Sequence, residues 1–75
     1  MRAMFKKGDF AHIRRFVPEA DRPGEGRSPA LPAMTKVVIV ESHKRSGEWR
    51  YVTTCNGWKY FFGEDDLLSP MEVPA

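Results

Sequence analysis

The chain has a single cysteine, Cys55, in 75 residues. No intramolecular disulfide can form, so stability has to come from packing or from a partner, and a lone thiol predicts a reducing, cytoplasmic setting. Long apolar runs are missing too. Val37 to Val40 is the longest, against roughly 20 residues for a membrane-spanning helix, and the start MRAMFKKGD has no signal-peptide core. Soft metal ligands are limited to His12, His43 and Cys55, with no two at C-x-x-C or H-x3-H spacing, which argues against a zinc centre. No phosphate loop is present, since Pro23-Gly24-Glu25-Gly26 leads into neither a helix nor Gly-Lys-Ser/Thr. Adjacent acids such as Glu64, Asp65 and Asp66 read as a solvated cap at a helical turn rather than an acid–base pair. These gaps predict a protein that is not an enzyme and that has no metal or cofactor.

What is present is strand-forming sequence. From Glu48 to Leu67, Trp49, Tyr51, Val52, Thr53 and Thr54 precede Asn56-Gly57, and Trp58 to Phe62 follows as a second aromatic run. Asn-Gly accepts positive φ at both turn positions, so the stretch predicts a β-hairpin. A chain of this length forms one domain, 1–75, whose single core usually leaves only ~3–5 kcal/mol of net stability.

In chain order, residues 1–7 form a basic leader expected to fray, and Phe10 to Phe16 alternates as a first strand. Residues 18–34 are a long loop rich in proline and glycine; its part from Pro18 to Pro32 holds four prolines and two glycines and is expected to be the most mobile part. Thr35 to Ser42 reads as a central strand, apolar on both faces. His43 to Gly47 is a polar turn, and the hairpin strands run over Glu48–Thr54 and Trp58–Phe62. A helical turn over Glu64–Leu68 precedes a last edge strand at Met71–Val73.

Lys7-Gly8-Asp9 with Ala11 and Ile13 near the start, and Phe62-Gly63-Glu64-Asp65-Asp66-Leu67 near the end, carry a family resemblance. The chain resembles SH3-like barrel proteins that serve as accessory subunits: the photosystem I stromal subunit, the ferredoxin-thioredoxin reductase variable chain and the C-terminal part of the nitrile hydratase β subunit. The resemblance implies an all-β, five-stranded SH3-like barrel with a long first loop and one helical turn before the last strand. It also implies the role of a small accessory subunit.

Charge is polarised along the chain. Residues 1–50 hold eleven Lys or Arg against six acids, and residues 51–75 hold one lysine against four. Basic positions interleaved with surplus rings suit a protein-binding face, for which the candidates are Arg14, Arg15, Lys44, Arg45, Trp49, Arg50, Trp58 and Tyr60. The expected partner is a protein. The alternative is nucleic acid, held by phosphate contacts plus aromatic stacking; against it, aromatic strand residues in a small barrel often serve as core or cross-strand pairs.

Overall fold

The structure, a computed structural model, describes residues 3–73. Two hairpins carry it, each set by a two-residue turn. Ser46 and Gly47 have φ of 52° and 81°, and Asn56 and Gly57 have φ of 52° and 82°. Double positive φ is the type I′ signature, whose twist matches that of paired antiparallel strands. These turns join β4 (Lys36–Arg45), β5 (Glu48–Cys55) and β6 (Trp58–Gly63). The first turn is tighter than the expected His43–Gly47, so His43, Lys44 and Arg45 extend β4 and pair with Arg50, Trp49 and Glu48.

On its other side β4 pairs with β1 (Phe10–Ile13), and β1 pairs with β7 (Leu67–Leu68). The five-stranded antiparallel sheet therefore runs β6-β5-β4-β1-β7. β6 and β7 lie at its opposite edges and do not pair, so the sheet is open, where the sequence predicts a closed barrel. Buried residues from both edges, Phe62 and Leu67, nevertheless share one core. The sheet therefore curls. Part of the bend comes from Val40, an extra residue between the pairs Ile39–Thr53 and Glu41–Val52.

Three further boundaries differ from expectation. β1 stops at Ile13 because the Arg14 amide turns away to donate to the Asp66 carbonyl at 2.9 Å. The helical turn is shorter than expected, a 3-10 turn over Glu64–Asp66. The last strand is Leu67–Leu68 instead of Met71–Val73. Residues Pro70–Glu72 form a second 3-10 turn, favoured by proline at its first position and by the Ser69 amide donating to Glu72 Oε1 at 3.2 Å.

The segment between β1 and β4 contains a small second sheet, β2 (Ala20–Arg22) against β3 (Gly26–Ser28). A Val17–Leu31 bridge closes its base, and Arg27 pairs with both Glu19 and Asp21 at 2.9 Å. Leu31 joins the main core.

Inward residues are Ala11 and Ile13 from β1, Val37 and Ile39 from β4, Tyr51 and Thr53 from β5, Tyr60 and Phe62 from β6, and Leu67 from β7. Phe5, in the leader expected to fray, is only 3% exposed and meets the Tyr51 ring edge-on, with centroids 5.4 Å apart. The Tyr51 hydroxyl accepts from the amides of Met4 at 3.0 Å and Phe5 at 3.5 Å, and it donates to Glu64 Oε1 at 3.1 Å. At the other end, the Tyr60 hydroxyl donates to the Pro29 carbonyl at 2.9 Å. Among the described residues, no helix is long and apolar enough to cross a membrane.

Phe62 faces Tyr51 across the hairpin and packs in the cluster that Leu67 closes, so Phe62→Ala should cost about 3–5 kcal/mol. Chemical denaturation would measure this, and a loss under 1 kcal/mol would show that the end of the sheet collapses to fill the gap.

Burial pushes both phenols above 10.0; for Tyr51 the Phe5 and Met4 amides oppose the shift, and for Tyr60 the Arg22 charge does. A raised phenol pKa gives stability that is fully present below the unfolded value and is lost as pH rises through the folded one. The denaturation midpoint should therefore fall on alkaline titration above pH 10, the unperturbed phenol value, and fall less in Tyr60→Phe. A decline as steep in the variant would assign the alkaline loss to other groups.

Candidate functional site: the outer face of the sheet

Residues opposite one another in an antiparallel pair share a face, so the register assigns the outer surface. One row is Phe10, Val38, Thr54 and Lys59. The next is Glu41, Val52 and Phe61, and the third is His43, Arg50 and Gly63. His12, Lys36 and Leu68 extend the face over β1 and β7. Phe61 is 69% exposed and Phe10 46%.

A groove of about 640 Å³ opens on this face, lined by His43, Lys44, Arg45, Arg50, Val52 and Phe61 together with Tyr51 and Phe62. Its charge is mixed. Arg50 Nη2 lies 3.6 Å from Glu48 Oε2, and His43 Nε2 lies 3.8 Å from Glu41 Oε1. Farther along, Lys36 Nζ sits 4.0 Å from the Phe10 ring centroid, a cation–π contact that holds the ammonium over an exposed ring. A smaller concavity of about 320 Å³ lies between the β4–β5 turn and the 3-10 turn, where Trp49 and Arg50 meet Glu64, Asp65 and Asp66. Arg50 lines both.

The candidates read from the sequence divide by location. Lys44, Arg45 and Arg50 come together in the larger groove. Arg14 and Arg15 lie beyond the end of β1 with the acidic turn, where Arg15 Nε is 3.3 Å from Asp66 Oδ1. Trp49 is half-buried against the core and lines the acidic concavity. Trp58 and Tyr60 face inward, and the Arg22 guanidinium lies 5.7 Å and 5.0 Å from their ring centroids, pinning the β2–β3 hairpin over them. Tyr60 is only 3% exposed.

The rings that reach solvent from the outer face are Phe61 and Phe10, and the flanking cations include Lys36 and Lys59. Lys36 and Lys59 are among the basic strand positions that the sequence offers for phosphate contacts, but neither ring is a candidate from sequence. The signal that finds Phe61 is the lysine two positions before it: residues two apart in a strand share a face, so an exposed Lys59 implies an exposed Phe61. His12 indicates Phe10 in the same way. Among the described residues no group of three or more His, Cys, Asp or Glu is placed to hold a metal, and Cys55 is a half-buried free thiol packed against the core.

No protein-family model, no curated protein and no solved structure matches the chain.

Proposed function

We propose that the protein is a non-catalytic binding module of the SH3-like class, working as a small cytoplasmic accessory subunit that docks an acidic or mixed-charge protein surface on the outer face of its sheet. The observation that carries the reading is Phe61, 69% exposed beside a groove that gathers Lys44, Arg45 and Arg50. An exposed ring next to arginine is the usual anchor of a protein interface, with charge steering the encounter. Two features support the SH3-like assignment: β1 lies between β4 and β7 in the sheet, and a 3-10 turn precedes the last strand.

Nucleic acid is the second reading, favoured by the same exposed ring beside Lys59 and Arg45. Glu41 and Glu48 stand among the cations and would repel phosphates, so a protein surface that offers both signs fits better.

The test is binding kinetics against the partner recovered by photo-crosslinking from position 61. Phe61→Ala should weaken binding by about 2 kcal/mol or more. Lys44→Glu with Arg45→Glu should slow association about tenfold at low salt, while Arg14→Glu, outside the groove, should leave it unchanged. Equal slowing by Arg14→Glu would move the docking surface to the acidic end. A steep power-law salt dependence with bound oligonucleotide would favour nucleic acid instead.

A further inference from the structure

β6 is an edge of the five-stranded sheet, and among the described residues its outward backbone is bare at Lys59 and Phe61. Cys55 and Trp58 flank a two-residue turn and so form a hydrogen-bonded pair, from which bonding to β5 alternates. Trp58, Tyr60 and Phe62 turn their N–H and C=O groups toward β5; Lys59, Phe61 and Gly63 turn theirs away. The Gly63 amide donates to Asp66 Oδ2 at 3.2 Å. Among the described residues, the outward backbone groups of Lys59 and Phe61 have no partner. A six-residue edge guarded by one lysine, with an exposed ring at its middle, is a template for another strand.

The charges along this edge say which strand. Lys59 stands near its start, and Glu64 and Asp65 follow its end. A parallel second copy would set lysine against lysine. An antiparallel copy sets each lysine beside the other's acids, twice over.

We propose that β6 pairs antiparallel with β6 of a second copy about a two-fold axis at Phe61, which joins the two sheets into one. Phe61 then faces the partner's Phe61, and Lys59 faces the partner's Gly63, next to the partner's Asp65. In the single chain Asp65 is exposed and, among the described residues, makes no ion pair, so its carboxylate is free to receive the lysine. On the outer face Val52, Phe61 and their two counterparts form one apolar stripe. The Arg50 guanidinium reaches over Gly63, with Nη1 3.6 Å from where a Cβ would stand there, so the partner's Lys59 turns toward Asp65, and Glu48, 3.6 Å from Arg50, offsets part of the repulsion. This inference goes beyond the docking function above: it concerns the edge and a second copy, and it is read out with the pure protein alone.

Sedimentation equilibrium of the pure protein up to about 0.5 mM should approach twice the 8.6 kDa chain mass. Lys59→Pro removes only an outward amide and leaves the β5 ladder whole, so it should give a monomer that keeps its β-sheet circular dichroism. Lys59→Glu should raise the dissociation constant about tenfold, and adding Asp65→Lys should restore dimerisation. If Lys59→Pro fails to fold, hydrogen exchange of the wild type decides: the Lys59 and Phe61 amides should slow as concentration rises. A monomer throughout the range, a dimer that survives a folded Lys59→Pro, a charge swap that restores nothing, or edge amides indifferent to concentration would each overturn the proposal. So would protection of those amides only by a different protein's strand.

Discussion

A single curled sheet has two faces, and a chain of this size has enough apolar side chains to bury only one. The inner face takes Ala11, Ile13, Val37, Ile39, Tyr51, Tyr60, Phe62 and Leu67, and these alone leave the curl open at both ends. Phe5 fills one end and Leu31 joins the same core from the other connection, each contributed by a segment outside the sheet. Two of the largest inner residues are tyrosines, and a buried hydroxyl needs a partner. Tyr51 finds it in the Met4 and Phe5 amides with Glu64, and Tyr60 in the Pro29 carbonyl. Satisfying the polar ends of the core rings therefore helps to dock the N-terminal leader and the proline-rich hairpin, beside the burial of Phe5 and Leu31.

That coupling explains where the sequence was legible. Asn56-Gly57 fixes the second hairpin through backbone geometry alone, and the unbroken apolar run Val37 to Val40 marks β4 as a central strand without saying which of its residues point inward; both are local signals. The leader, the 18–34 segment and the C-terminal strand were harder to read because their order depends on remote groups. Phe5 is buried because its ring packs edge-on against Tyr51, 46 residues away, whose hydroxyl also receives its amide. Met71–Val73 looked like an edge strand by composition, but Leu67 and Leu68 reach β1 first, directly after the turn, and Ser69-Pro70-Met71-Glu72 has its own capping pattern.

The candidate site was half legible for a related reason. Charge and aromatic content indicated a basic, ring-bearing surface, and Lys44, Arg45 and Arg50 do gather there. By residue type the rings that suit an interface are Trp49, Trp58 and Tyr60, since large amphipathic rings are the common interface residues. In this fold their phase points them inward, where Arg22 covers two of them. Strand phase, set by the Asn56-Gly57 turn, outranks residue type: it places the purely apolar Phe61 in solvent and buries Tyr60 beside it.

The same phase has a second consequence, because in an antiparallel edge strand side-chain direction and backbone direction alternate together. Lys59 and Phe61 present their side chains to the outer face and their N–H and C=O groups, unpaired among the described residues, to the edge. A partner on the face and a strand at the edge therefore meet at the same two residues, yet they do not exclude one another. Two-fold pairing of β6 leaves both outer faces on the same side of the joined sheet, with the two grooves side by side and the Phe61 rings between them. A protein with two acidic segments would then engage both grooves at once, and the second contact would be intramolecular, raising avidity without a new kind of contact. Self-association at the edge would in this way strengthen docking on the face.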